Sequence, residues 1–89
     1  MRTTTFTGRY KKDLKRCLVR GYDLEKLRAV FELIVRDQDL PAACRPHKLR
    51  GDYEGFWECH IASDWLLIYE FPDEERLVLR RTGTHADLF

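Results

Sequence analysis

The spacing of apolar positions changes once along the chain, from a helical period in the first half to alternation in the second. In the first half, apolar residues recur every three or four positions, at Tyr10, Leu14, Cys17 and Leu18. This spacing predicts an amphipathic helix, and Gly21 is a natural stop signal for it. The β-rich segment 3–6 that precedes the helix is expected to form a short strand.

A second helix is predicted to begin after Asp23, because an aspartate is a good N-cap residue. Its apolar stripe consists of Leu24, Leu27, Phe31 and Ile34, with Val30 beside it. The helix must end before Pro41, since residues that precede a proline avoid the helical conformation. Two short helices joined at 21–22 predict a helical hairpin.

The second half of the chain predicts strands joined by short turns. Segments 55–61, 65–71 and 76–82 have strand-like composition, turn residues separate them, and a loop or short strand is expected at 47–49. Such strands form an antiparallel meander, which the 3–6 strand can join at an edge. The expected fold class is α+β: an N-terminal strand and a two-helix hairpin packed on one face of a twisted, mainly antiparallel sheet.

Composition narrows the class of protein. The chain has 89 residues, 44% of them hydrophobic and 35% charged, which predicts one globular domain over residues 1–89 and excludes a disordered chain. No secretory signal and no apolar run of about 20 residues is present, so we expect a cytoplasmic protein with no membrane partner. Three cysteines without a CxxC spacing argue against a disulfide framework and for a reducing compartment.

Charge is unevenly distributed although the net charge is only +1. Residues 1–22 hold seven basic residues against Asp13 alone, residues 45–51 hold three and no acid, and residues 52–75 hold eight acids and no base. Such asymmetry can produce one basic face that attracts phosphates.

All three histidines lie in the second half, where they can meet on one sheet. Alternation places Glu58 and His60 on one face of the 55–61 strand, and Cys59 on the other.

On the last strand, alternation places Arg81 on the face of Leu77 and Leu79, with Arg80 opposite. His85 follows Arg81 by four residues across a turn at Gly83, and His47 would arrive from the loop that feeds the meander.

Three histidines and an arginine suit RNA cleavage by the RNA's own 2′-hydroxyl. The reaction needs a base for the 2′-OH proton and an acid for the leaving 5′-oxygen, and histidine serves both roles near neutral pH. It also needs a cation for the charge that develops on the phosphate, which the planar guanidinium of Arg81 can supply. This chemistry needs no metal or other cofactor.

Other readings of these residues stay open. A zinc site would need spacings such as HxH or HExxH, which are absent, so no metal ligands are predicted. A cysteine nucleophile at Cys59 beside His60 is disfavoured because adjacent strand residues point to opposite faces. The histidines can also be partly exposed structural residues, and spacing alone does not establish an enzyme.

Three strings resemble the YafQ branch of RelE-type toxins. They are His47-x-Leu49-x-Gly51, the segment from Cys59-His60-Ile61 through Asp64-Trp65 to Tyr69, and the C-terminal segment Arg81-Thr82-Gly83-Thr84-His85-x-x-Leu88-Phe89. The weaker string at 10–15 fits the same family, so the resemblance covers essentially the whole chain. Ser63 and Pro46 depart from the family's usual residues, which affects the shape of the loops before Asp64 and His47.

The resemblance implies a RelE-like fold, ribosome-dependent cleavage of mRNA in the decoding A site, and neutralisation by a cognate antitoxin. The implied catalytic residues are His47, His60, Asp64, Arg81, His85 and Phe89. His85 would lead proton transfer with His60 or His47 as its partner, Asp64 would orient a histidine or contact RNA, and Phe89 would position a base. The implied contacts to ribosomal RNA or mRNA phosphates are Lys11, Lys12, Lys15, Arg16, Lys48 and Arg50.

Two functions of other classes compete with this one. A non-catalytic inhibitor like the ParE branch of the same superfamily would bind DNA gyrase and would need no paired acid and base groups. A plain RNA-binding or ribosome-binding module would also lack catalysis. Cleavage of mRNA on translating ribosomes, and its loss in His85→Ala, discriminates between these readings.

Overall fold

The computed structural model describes all 89 residues and confirms the α+β class. Its strands are β1 (Thr3–Phe6), β2 (His47–Lys48), β3 (Trp57–Ala62), β4 (Trp65–Glu70) and β5 (Arg76–Gly83). Its α-helices are α1 (Gly8–Val19), α2 (Leu24–Val35) and α3 (His85–Leu88). The first strand, both long helices and the meander lie within about two residues of the predicted positions.

The helical hairpin is delimited by the residues that the sequence indicates. Asp23 caps α2, with its side chain accepting a hydrogen bond from the Glu25 N–H. Gly21 follows the end of α1 with φ +84°, a left-handed conformation that glycine adopts at little cost. Thr7, which was not among the predicted caps, caps α1 by accepting from the Tyr10 N–H.

The buried stripe of α1 differs from the predicted one at two positions. Tyr10 and Cys17 are buried as expected, but Leu18 is 45% exposed, so its assignment to the stripe is wrong. Asp13, three residues after Tyr10, is buried on this face of α1 instead, and is only 4% exposed. An ionisable side chain is buried only where it is paired, so Asp13 must have a partner across the interface with the sheet.

The five strands form one sheet in the order β1-β5-β4-β3-β2. Every pair is antiparallel except β1 with β5, which is parallel, so the sheet is mainly antiparallel as predicted. One face packs on α1 and α2 through the main hydrophobic core, to which Trp65, Leu67 and Tyr69 of β4 contribute. The helices thus cover one face, and the other face is left to position functional side chains.

A smaller cluster covers part of this second face. Leu66 and Ile68 of β4 pack there against Leu88 of α3, with Tyr53 and Phe56 from the loop before β3 at its edge. The sequence pattern does not predict α3, and Gly83, which was expected to lie in a turn, is the last residue of β5. Neither α1 nor α2, at 12 residues each, can span a bilayer, and α3 is shorter still.

Candidate active site

His85 is held at the start of α3 by a carboxylate from the β3–β4 turn. The Oδ1 atom of Asp64 accepts from the backbone N–H of His85 at 3.0 Å and lies 2.7 Å from the ring Nδ1. These two hydrogen bonds, the backbone one first, hold the pKa of Asp64 below its usual value, so Asp64 is an acceptor and Nδ1 donates. The Nε2 atom of His85 is therefore the nitrogen left to exchange a proton with a substrate.

The short helix that carries His85 has its own anchors. Thr84 and Asp87 form a capping box, in which each side chain accepts from the other residue's backbone N–H. Arg20, the C-cap residue of α1, donates two hydrogen bonds to the Asp87 carboxylate, at 2.6 and 3.1 Å. Gly83 has φ +154°, and a Cβ there would lie 2.8 Å from Oδ2 of Asp87, so this position requires glycine.

His60 lies beside His85, as the sequence predicts. It pairs with Leu66, and Leu66 pairs with Gly83, so the register places His60 two strands away from the point where α3 begins. The ring centroids of His60 and His85 are 6.0 Å apart. The ring of Phe89 continues the row, 6.3 Å from that of His85, and is 62% exposed. Two imidazoles and one exposed aromatic ring thus share one end of the sheet.

His47 lies on β2 and is held by groups other than the remaining histidines. Its Nδ1 atom donates to the carbonyl of Arg45 at 2.8 Å, and its Nε2 atom lies 3.4 Å from Oε1 of Glu58, the residue with which His47 pairs in the sheet. Glu58 is 4% exposed, and its Oε2 atom has no hydrogen-bond partner. A buried carboxylate with a free oxygen favours a cation or donor close by, which orients His47.

Arg81 lies on the face of the sheet opposite to the one that alternation predicts. Leu79 pairs with Tyr69 whereas Arg81 pairs with Ile68, so Arg80 is an extra residue in a β-bulge. Tyr69 faces the helices and Ile68 faces the smaller cluster. The prediction that Arg81 shares a face with Leu79 is therefore wrong, because the bulge inverts the alternation after Arg80.

The bulge brings Arg81 to the histidine-bearing face, where buried partners fix its guanidinium. Its Nε and Nη2 atoms donate to the two oxygens of Asp13 at 2.6 and 3.2 Å, and Nη1 donates to the hydroxyl of Tyr53 at 3.2 Å. The hydrogen bonds to Asp13 raise the pKa of Arg81, which stays charged. One N–H on each Nη atom has no protein acceptor, which leaves two donors for a phosphate.

Arg81 hydrogen-bonds to neither His60 nor His85, so the predicted group of three is only partly assembled. The two histidines are adjacent. Arg81 pairs with Ile68, and Ile68 pairs with Glu58, so the residue level with Arg81 on β3 is Glu58, two strands and roughly 10 Å away across the sheet. Tyr53 instead links Arg81 to α3, since its hydroxyl accepts from Arg81 and donates to the carbonyl of Leu88, both at 3.2 Å.

The predicted phosphate-binding residues are exposed, with one exception. Exposed positions are Lys11, Lys12, Lys15, Lys48 and Arg50. Arg16 instead donates to Asp13 at 3.0 Å and lies 3.8 Å from Asp87, with 40% of its side chain exposed. Its charge is therefore partly used within the protein.

Three residues of the site were not identified from the sequence. Asp13 was detectable in principle, because it is an acid at a helical position three residues after the buried Tyr10. Glu58 shares its face with His60, which alternation indicated without suggesting a role. Tyr53 lies in a loop, and no periodicity identifies it.

The cysteine alternative does not fit the geometry. Cys59 is fully buried on the helix-covered face, and burial raises its pKa to about 12, so the thiol is protonated and out of reach of His60. The chain contains no group of three or more histidine, cysteine or acidic side chains arranged to hold a metal ion.

Similar proteins share both the sequence and the fold. The mRNA interferase toxin YafQ of Escherichia coli K12 is 38% identical over 89 residues, which cover 99% of this chain and 96% of that protein. The crystal structure of YafQ from E. coli BL21(DE3) superposes with a TM-score of 0.93 at 33% identity, and covers 100% of this chain and 99% of the other. The toxin in the E. coli DinJ–YafQ complex gives 0.90 at 37% identity, with 99% and 97% covered.

The family match is equally extensive. Residues 2–89 match the family described as the YafQ bacterial toxin of type II toxin–antitoxin systems. Both the resemblance in the sequence and the predicted fold are thereby confirmed, and this chain belongs to the YafQ toxin family.

Proposed function

We propose that this toxin cleaves mRNA in the decoding A site of the ribosome, by metal-independent attack of the 2′-hydroxyl on the adjacent phosphate. The coarser activity follows from full-length membership of the family: the chain is an mRNA interferase, and so an endoribonuclease, of a type II toxin–antitoxin system. What the proposal adds is the role of each residue and the dependence on the ribosome.

The observation that carries the proposal is the Asp64–His85 pair beside the ring of His60. Asp64 fixes the tautomer and orientation of His85, so that Nε2 can take up or release a proton. A phosphodiester that lies across both rings, whose centroids are 6.0 Å apart, has one imidazole near each reacting oxygen. His85 and His60 then act as opposite acid and base, and His47, oriented by Glu58, is the alternative partner of His85.

Arg81 and Phe89 complete the proposed site. Arg81 keeps two free N–H groups on a guanidinium that Asp13 and Tyr53 hold in place, and a donor fixed before the reaction stabilises developing charge efficiently. Phe89 is exposed beside His85, where it can stack on a base and hold the nucleotide in register.

The remaining proposals concern partners. Lys11, Lys12, Lys15, Arg16, Lys48 and Arg50 would contact phosphates of ribosomal RNA or mRNA. A cognate antitoxin would neutralise this chain, as the E. coli DinJ–YafQ complexes suggest by analogy. Because the substrate is mRNA on translating ribosomes, the toxin is expected to act in the cytoplasm.

Primer extension on an mRNA in a reconstituted translation system tests the proposal. Cuts should require ribosomes, and His85→Ala should slow them by about 10²–10⁴-fold, the usual contribution of a positioned acid or base. Arg36→Ala, a change at the exposed C-cap residue of α2, serves as the control and should cut like wild type. Cuts that survive His85→Ala would refute its assigned role, and growth arrest without any cuts would favour a binding inhibitor such as one of DNA gyrase.

A further inference from the structure

We propose that two adjoining cavities beside the candidate site bind the phosphate backbone of single-stranded RNA next to the scissile phosphate, through Arg9, Arg50 and Arg80. The inference rests on the proposed function, since it concerns the same RNA substrate. Neither Arg9 nor Arg80 belongs to the catalytic or phosphate-binding sets described above. The two cavities together are called the arginine groove.

The arginine groove begins at the candidate active site. One cavity, of about 430 Å³, is lined by Phe89 and Leu88 of the C-terminal segment and by Arg9 and Arg50. The other, of about 550 Å³, is lined by Arg9, Arg80 and Arg81, with Phe56. The cavities share Arg9, Asp52 and Tyr53, so they adjoin. An RNA strand leaving Phe89 therefore has a continuous path toward Arg80.

The charges in the groove are available to an anion. Arg9 and Arg50 are exposed, and neither has a carboxylate within 4.0 Å. Arg80 lies 3.3 Å from Glu70 and keeps 37% of its side chain exposed. Asp52 is the one acid in the lining, against four arginines. Arginines gathered around a concave surface favour phosphates, which their planar donors contact in pairs.

The groove also alternates arginines with aromatic rings. The guanidinium of Arg80 lies over the ring of Phe56, 4.8 Å from its centroid, and the ring of Tyr53 lies 5.4 Å from that of Phe89. Single-stranded RNA presents phosphates and flat bases in turn, and proteins bind it with cationic grooves interleaved with stacking surfaces. An acidic peptide would use the charges and leave the rings without a function, so RNA is the occupant that the lining favours.

Salt-dependent binding tests the arginine groove without any cleavage. The probe is a short single-stranded RNA with methylated 2′-hydroxyls, and Kd is measured over a range of salt concentrations for the full chain. Each phosphate contact on a single strand contributes about 0.7 to the slope of log K against log salt. Arg9→Gln/Arg50→Gln/Arg80→Gln should therefore reduce the slope by about 2 and raise Kd at low salt by more than about tenfold.

Two further variants control for folding and for general charge loss. Arg9→Gln/Arg50→Gln leaves the Arg80–Glu70 pair intact and should reduce the slope by about 1.4. Arg28→Gln/Arg36→Gln/Arg76→Gln removes the same charge from exposed arginines that are paired with Glu25, Glu32 and Asp73. This control should keep the wild-type slope.

The outcomes separate this inference from the proposed function. If wild type cuts mRNA on ribosomes but the groove variants keep its slope and KM, the inference is overturned and the endonuclease stands. If they keep the slope but lose affinity for the antitoxin, the occupant is an acidic peptide, and the inference is again overturned. If wild type cuts nothing yet the groove variants alone lose slope, the groove binds RNA and the cleavage proposal fails.

Discussion

Two carboxylate-cation pairs in this protein have nearly equal hydrogen-bond lengths and very different surroundings. Asp64 and His85 meet at 2.7 Å with side chains 58% and 56% exposed, whereas Asp13 and Arg81 meet at 2.6 Å with side chains 5% and 10% exposed. The first pair lies on a turn and a short C-terminal helix, and the second joins α1 to β5.

The difference in exposure indicates that the two pairs have different roles. A group that transfers a proton must reach the substrate and titrate, and solvent access permits both. A group that only stabilises developing charge works best when its orientation is fixed beforehand, and the buried carboxylate of Asp13 fixes Arg81. The exposed pair should therefore govern activity with little effect on folding, and the buried pair should govern both.

Removal of Asp13 should have the largest effect on stability. Asp13→Ala leaves the Arg81 charge buried without its partner and removes the acceptor of the Thr82 N–H, so the free energy of unfolding should fall by about 3–5 kcal/mol. Urea unfolding measures this loss. The double variant Asp13→Leu/Arg81→Met should recover much of the stability without activity, since no charge is left unpaired. A loss below about 1 kcal/mol in Asp13→Ala would mean that the pair is effectively solvated.

Asp64→Asn should affect activity and leave stability unchanged. The amide can present an N–H to Nδ1, which favours the wrong tautomer of His85. Cleavage on ribosomes should slow by about one to two powers of ten, less than the 10²–10⁴-fold expected for loss of a proton-transfer group itself. The effect should fall on kcat with KM retained. Asp39→Asn, at an exposed carboxylate without a hydrogen-bond partner, is the matched control, and equal kcat in the two variants would contradict the role of Asp64.

The two pairs also differ in how far the sequence predicts them. Local patterns predict α1, α2, the meander and the Asp23 cap well, because each depends on residues close together in the chain. The resemblance implied that Asp64 would orient a histidine or contact RNA, and the structure shows that the residue it contacts is His85. The orientation of Arg81 was predicted wrongly, because a single extra residue in β5 inverts the alternation. No residue type near Arg80 indicates a bulge in the sequence.

The partner of Arg81 required knowledge of tertiary structure. Asp13 is 68 residues away in sequence and lies among basic residues on a helix that reads as a solvated face. Only the packing of α1 on β5 shows that this acid is buried and that Arg16 is partly neutralised by it. The same packing explains why Leu18, apolar and near the stripe, is exposed instead.

Acid should loosen the exposed region before the buried one, with the smallest effect of the three. The hydrogen bonds that Asp87 accepts, from Arg20 first and then from the Thr84 N–H, lower its pKa in the folded state. A carboxyl whose folded pKa is depressed stabilises the fold above its unfolded pKa, about 3.9, and this contribution is lost as pH falls toward the folded value. The protection of α3 amides against hydrogen exchange, relative to their intrinsic rates at each pH, should therefore fall below about pH 4, ahead of the protection in β5.

Asp87→Asn isolates this contribution, because the amide keeps the shape of the capping side chain and removes its charge. The urea midpoint of the variant should be lower than that of wild type at pH 7 and should depend less on pH between about 5 and 3. Salt should weaken the wild-type advantage, since the Arg20 side chain is 38% exposed and its attraction to Asp87 is screened. If the variant and wild type show the same pH dependence, Asp87 does not anchor α3 electrostatically, and His85 depends on Asp64 and the packing of Leu88 alone.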